Sequence, residues 1–153
     1  MPLYNEVREF TMDCARGGGV ETEDGFALFF SPGLLTGSTS TIKIYGPTVL
    51  PASVTLGGLT PRSASLGWVV ESSAGVTTAH TGPEVRIPYD PANQPSGSNI
   101  YVAFAGRLLQ SSWTRANNDT NDDPDSRLTR RMATIPIATA SSTFVFAVGV
   151  YGD

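Results

Sequence analysis

The feature of this chain that most constrains its fold is the spacing of its apolar residues. They form short runs, alternating or continuous, between segments rich in Gly, Pro, Ser, Thr, Asn and Asp. Side chains point alternately to the two faces of a β-strand, so alternation predicts strands with one buried face. No stretch longer than about ten residues keeps the i, i+3, i+4 pattern of an amphipathic helix. The sequence therefore predicts an all-β protein.

The predicted strands fit an antiparallel sandwich of two sheets, jelly-roll-like, with eight to nine short strands. A continuous apolar run predicts a strand inside its sheet, as at 27–30 and 143–151. Pro83 and Pro88 flank another run and predict an edge strand there, because proline cannot donate to the ladder. Residues 111–131 lack strand character. The predicted strands span 4–14, 27–30, 41–45, 53–57, 63–72, 84–89, 100–109, 132–137 and 143–151.

Composition and length favour one soluble domain over residues 1–153. The chain is 40% hydrophobic and 16% charged, which is apolar enough for a packed core. A net charge of −4 gives no basic patch for phosphates, so nucleic acid is not an expected partner. The N-terminal residues do not resemble a signal peptide, and no apolar run approaches the ~18 residues of a membrane span.

The densest polar cluster favours a solvated loop tip, with a weak calcium site as the alternative. Oxygen ligands could come from Asp119, Asn121, Asp123 and Asp125. Pro124 stands where an EF-hand loop needs glycine, which favours the solvated turn. Three arginines follow, and they either pair with these acids or form a contact between subunits; they are Arg127, Arg130 and Arg131.

No catalytic constellation is present, so we expect no enzymatic activity and no cofactor other than possible Ca²⁺. The single histidine, His80, has no second histidine for metal binding, and Cys14 alternates with apolar residues as a buried side chain does. Of the two tryptophans, Trp68 is expected in the core, and Trp113, flanked by Ser and Thr, is expected on the surface as a platform for a ligand.

Short strands rich in Ser, Thr, Gly and Pro, long loops and the apolar strand 143–151 together resemble coat-protein sandwiches of small icosahedral viruses, or the projecting and decoration domains of viruses and phages. The resemblance implies a homo-oligomeric structural protein, located in the virion, that self-assembles or is displayed on a virus-like particle. The basic arm of genome-packaging coat proteins is missing, since residues 1–10 contain only Arg8.

Two other functions remain open. The first is a carbohydrate- or receptor-binding module, which would take a host glycan or receptor and needs an exposed aromatic side chain. The second is a glycoside hydrolase on a β-sandwich, which needs two carboxylates facing each other across a cleft.

Overall fold

The computed structural model describes residues 7–23, 25–49, 60–61, 66–76, 82–88, 100–106, 113–122, 130–135 and 144–152. All regular structure in these residues is β. The strands are β1 Val7–Asp13, β2 Gly18–Glu21, β3 Ala27–Phe30, β4 Thr39–Val49, β5 Thr60–Pro61, β6 Leu66–Ser72, β7 Glu84–Pro88, β8 Ile100–Ala105, β9 Thr114–Arg115, β10 Asn117–Asp122, β11 Arg130–Thr134 and β12 Phe144–Gly152.

The strands form two antiparallel sheets. The larger sheet has the order β1-β4-β6-β12-β8-β9, with the two-residue β5 paired to β12, and the smaller has the order β10-β11-β7-β3-β2. The chain passes between the sheets repeatedly, for example from β1 to β2, from β3 to β4 and from β11 to β12. The prediction of an all-β protein with two antiparallel sheets is confirmed.

The core lies between the two sheets and draws on alternate residues of the strands, as the sequence pattern predicts. Its centre is Trp68, which is 2% exposed and stacks on Phe26 with ring centroids 4.9 Å apart. Phe26 directly precedes β3 of the smaller sheet, so this stack joins the two layers. Other buried members are Met12, Cys14, Leu28, Phe30, Ile42, Ile44, Val70, Val85, Ile87, Val102, Phe146 and Val148.

The outer face of the larger sheet also buries apolar residues, although they lie outside the contiguous core. Val69 pairs with Ala147, which pairs in turn with Ala105, and these side chains are at most 4% exposed. In the antiparallel register of β8 and β9, Thr114 is opposite Phe104, which places the preceding residue, Trp113, opposite Ala105. Trp113 is itself only 4% exposed. The expectation that Trp113 lies on the surface is therefore wrong, whereas the core position of Trp68 is confirmed.

Burial on both faces of the predicted strand 143–151 is confirmed for the middle of β12. This strand lies between β6 and β8, with Phe146 buried on one face and Ala147 on the other. Val145, near its start, is 43% exposed on the outer face.

Strand β7 is not an edge strand, contrary to the prediction. It pairs with β11 on one side and β3 on the other. Pro83 precedes the strand and Pro88 is its last residue, so neither interrupts the ladder between them. The backbone oxygen of Pro83 still accepts a hydrogen bond from the Ile135 N–H at 2.9 Å.

The stretch 111–131, expected to lack strands, contains β9, β10 and the start of β11. The polar β10 pairs with β11 with a register shift between Asn117 and Asn121. Pairing with a neighbour, rather than the intrinsic preference of Asn and Asp, decides the conformation here. The predicted strand 53–57 lies outside the described residues.

Candidate interaction surface

The residues predicted to bind calcium fall partly on a strand instead of a single loop. Asp119 and Asn121 belong to β10, whereas Asp123 and Asp125 lie outside the described residues. Calcium binding therefore stays a prediction. Within the described residues, no three His, Cys, Asp or Glu side chains are grouped so that they could hold a metal ion.

The arginines predicted to pair with these acids follow on the neighbouring strand. Arg130 and Arg131 open β11, and the backbone register sets Arg131 opposite Asp122. Arg127 lies outside the described residues.

The position of β10 gives the acidic run a structural explanation. Among the described strands it forms one edge of the smaller sheet, and charged residues on an edge strand oppose pairing with another chain. A register shift inside β10 works in the same direction, because a bulge disrupts the pattern that a partner strand must match.

Cys14 is a structural residue, not a nucleophile. Its side chain is 1% exposed, and burial, together with the neighbouring Asp13 carboxylate, raises the pKa of its thiol above the ordinary 9.0. A thiol of raised pKa stays protonated at neutral pH and reacts slowly. His80 lies outside the described residues.

Serine hydroxyl groups, buried at Ser40 and Ser72 and exposed at Ser73, join β4 to the end of β6. Ser40 Oγ lies 3.0 Å from Ser72 Oγ, which donates to the Ala74 oxygen at 2.9 Å and accepts from the Ala74 N–H at 3.2 Å. Ser73 Oγ accepts the backbone N–H of Thr41 at 2.8 Å. These serines hold strands together and include no base that could activate one of them.

A row of charged residues crosses the outer face of the larger sheet. Glu9 is paired with Lys43 and Lys43 with Glu71, and the Lys43 Nζ to Glu9 Oε2 distance is 3.9 Å. The Tyr45 hydroxyl donates to Glu71 Oε2 at 3.0 Å. The two carboxylates thus stand on either side of a cation on one sheet face, not across a cleft of the kind a glycoside hydrolase uses.

The outer face of the smaller sheet carries the exposed aromatic residue that the sequence analysis did not single out. Phe29 is 38% exposed, and Arg86 Cζ lies 5.8 Å from the centroid of its ring. Glu84 is opposite Phe29 on the neighbouring strand and is exposed. A strand over 27–30 places Leu28 and Phe30 on one face and Phe29 on the other, but because all four residues are apolar the sequence does not show which face is buried.

The ring of Phe29 lies against β2, which is the last of the described strands on this side of the sheet. A Cβ atom added to Gly19 would stand 2.7 Å from Phe29 Cδ1 and 2.6 Å from the Leu28 oxygen, so only glycine fits beneath the ring. Aromatic residues commonly cover a glycine of a neighbouring strand in this way. Gly19 is opposite Phe29 in the register of β2 and β3.

Strand β2 is the less protected edge of the smaller sheet. Among the described strands it pairs only with β3, and Gly18, Gly19 and Glu21 are exposed while Val20 is half-buried. Its one charged residue is Glu21, and it contains no proline, no lysine and no register shift against β3. We call β2 together with Phe29 the β2 surface.

The β2 surface stands on the same side of the sandwich as β1. A short turn over 14–17 connects the two strands, and the Gly17 N–H donates to the Asp13 oxygen at 3.0 Å. An ion pair of 3.9 Å between Arg8 and Glu23 links the other ends of this pair of strands.

Among the described residues, no helix is long and apolar enough to cross a membrane. No protein-family model matches the sequence, and a search of curated proteins finds no relative.

Proposed function

We propose that this protein is a structural β-sandwich that works as a homo-oligomer, as a capsid subunit or projecting domain of a virus-like particle. The observation that carries the oligomer is the β2 surface. Soluble proteins protect the edges of their sheets with charges, prolines or bulges, because an open edge is a template for another strand. Strand β10 contains two aspartates and a register shift, whereas β2, with Glu21 as its one charged residue, combines two glycines with an adjacent exposed phenylalanine.

The location on a virus-like particle is supported by the resemblance of the whole chain to coat and decoration sandwiches. Such a protein needs a rigid frame and contact surfaces, and it needs no catalytic group. The proposal accordingly includes no reaction and no binding of nucleic acid.

The experiment that tests this function measures mass against concentration. Analytical ultracentrifugation of the purified protein, from micromolar to submillimolar concentrations, is expected to show species heavier than the monomer, and negative-stain microscopy is expected to show regular assemblies at the highest concentrations. A monomer across the whole range would contradict the proposal.

A second function, binding of a glycan or receptor, is favoured by one observation. Phe29 provides an exposed ring, and the neighbouring Arg86 and Glu84 could bind hydroxyl groups. The guanidinium of Arg86 lies near the ring, however, and reduces the area on which a sugar could stack. Screening of the protein against a glycan array, with Phe29→Ala as the control that should lose any signal, tests this alternative.

A further inference from the structure

We infer that Ser73, Ser40 and Ser72 form one directed chain of hydroxyl hydrogen bonds, and that this serine chain latches the loop between β3 and β4 onto the larger sheet. Ser40 is the second residue of β4, and the other two serines stand where β6 ends. The latch is a property of a single protomer, so it does not depend on the proposed homo-oligomer.

The direction of the serine chain follows from the number of hydrogens. A hydroxyl group has one hydrogen to donate and two lone pairs with which to accept. The Ser72 hydrogen goes to the Ala74 oxygen at 2.9 Å, because no other donor to this oxygen is found among the described residues. The 3.0 Å contact between the Oγ atoms of Ser40 and Ser72 is then a bond that Ser40 donates.

The outer end of the serine chain is fixed by the same reasoning. With the Ser40 hydrogen used, the 3.3 Å contact between Ser40 and Ser73 needs Ser73 as its donor. Ser73 Oγ in turn accepts the Thr41 N–H at 2.8 Å. The chain therefore runs inward, from the exposed Ser73 to the Ala74 oxygen. The reverse order would leave this buried oxygen without a donor in the described part of the chain, which costs more than an exposed hydroxyl that bonds water.

Ser72 uses its full capacity for hydrogen bonds. Its oxygen accepts from Ser40 and from the Ala74 N–H, at 3.0 and 3.2 Å, while its hydrogen is donated to the Ala74 oxygen. Successive hydroxyl bonds polarise one another in the protein interior, so each of them strengthens the next. The serine chain thereby fixes the backbone of Ala74, directly after the end of β6.

The segment 74–76 in turn holds the loop between β3 and β4, residues 31–38. The Gly75 oxygen accepts the Thr36 N–H at 2.9 Å and the Thr36 hydroxyl at 3.3 Å. Leu35 pairs with Val76 in an isolated antiparallel bridge, and both side chains are buried. Because Ser72 fixes the start of this segment, the serine chain and the loop are expected to open together as one unit.

Native-state hydrogen exchange of Ser72→Ala tests the latch. The reporter is the Thr36 N–H, and the remote reporter is the Ile135 N–H, which bonds the Pro83 oxygen at 2.9 Å in the smaller sheet. Ser72→Ala removes both side-chain bonds to Ala74. We expect exchange at Thr36 to accelerate at least about tenfold more than exchange at Ile135.

The matched control is Ser38→Ala. Ser38 is an exposed serine of the same loop, and its hydroxyl is not a member of the serine chain, so exchange at Thr36 is expected to equal that of the unmodified protein. Ser40→Ala keeps both bonds between Ser72 and Ala74, and its effect is expected to lie between those of Ser72→Ala and the control. If Ser72→Ala does not fold, the comparison of Ser40→Ala with Ser38→Ala decides alone.

The Ser40 hydroxyl proton reports the direction of the serine chain. This proton is buried and hydrogen-bonded, so it exchanges slowly with water and can be observed by NMR. A nuclear Overhauser effect to the β-protons of Ser72 is expected, and one to the β-protons of Ser73 instead would overturn the direction. Equal acceleration at Thr36 and Ile135 in Ser72→Ala would indicate a general loss of stability and overturn the latch.

Discussion

Replacement of Trp68 by alanine is expected to lower the free energy of unfolding by about 4 kcal/mol. A large aromatic side chain buries about 150–250 Å², which at about 25 cal/mol per Å² corresponds to about 4–6 kcal/mol as an upper bound. Truncations of buried Phe and Trp in other proteins cost about 3–5 kcal/mol. Because Trp68 is 2% exposed, almost its whole surface is lost from the core in Trp68→Ala.

The assay is urea unfolding followed by far-UV circular dichroism, and Phe26→Leu serves to isolate the ring stack. The rings of Phe26 and Trp68 are inclined by only 10° at 4.9 Å. In the double mutant Trp68→Ala with Phe26→Leu, the free energy of unfolding is therefore expected to fall by about 0.5–1.5 kcal/mol less than the sum of the losses in the two single mutants. Since small domains have about 5–15 kcal/mol of stability in total, Trp68→Phe should be measured as a milder variant.

Trp113→Ala is the comparison that tests the second buried layer. Trp113 is 4% exposed but lies outside the core cluster, so we expect a loss of about 3 kcal/mol that adds to the loss from Trp68→Ala. A loss below about 1 kcal/mol for Trp68→Ala would refute its place in the core. Strong coupling between the two tryptophans would refute their assignment to separate layers.

Three further results are expected. Burial raises the pKa of Cys14, so its thiol loses its proton at a higher pH in the folded chain than in the unfolded chain. This group should therefore leave the free energy of unfolding unchanged below the ordinary pKa of 9.0 and lower it above that pH. Cys14→Ala should remove this part of the decline when urea unfolding is measured at increasing pH. Gly37→Ala should lower the free energy of unfolding by about 1–2 kcal/mol, because Gly37 has a φ of 86°, although the space around it is open. Gly17→Ala should lower it further, because the new methyl group would also overlap a backbone carbonyl oxygen of β3. Equal melting temperatures of the two variants would contradict this. Ser72→Ala should lower the free energy of unfolding by about 1–3 kcal/mol, since it leaves a buried N–H without its acceptor, whereas the exposed Ser73→Ala should cost less in the same assay.

The sequence was sufficient for the strands that contain enough apolar residues of their own, and insufficient for those defined by their neighbours. The runs that became β1, β3, β4, β6, β8 and β12 contain enough apolar residues to identify a strand and its buried face. Strand β2 begins within a run of three glycines that also suits a turn, and β10 consists of residues typical of loops. Both become strands because an adjacent strand offers backbone hydrogen bonds, and a local pattern does not contain that information.

The candidate surface was predictable only in part for the same reason. A strand over 27–30 places Phe29 on the face opposite to Leu28 and Phe30, but which face is exposed, and the closeness of Phe29 to Gly19, depend on the packing of the sheets and the pairing of β2 with β3. Trp113 illustrates the opposite error. Its polar neighbours in the sequence suggested exposure, whereas its position level with Ala105, on a face of small buried residues, places it in the interior.

The place of β12 between β6 and β8 also affects how the chain folds. Both partners precede it by long stretches of sequence, as in the pairs of Phe146 with Val70 and of Val148 with Phe104. Contacts between distant residues slow folding, because the chain loses entropy in closing long loops before it gains the contacts. While β12 is still being synthesised, β6 and β8 present two open edges, and a nascent chain stalled at this stage is expected to depend on chaperones to avoid aggregation.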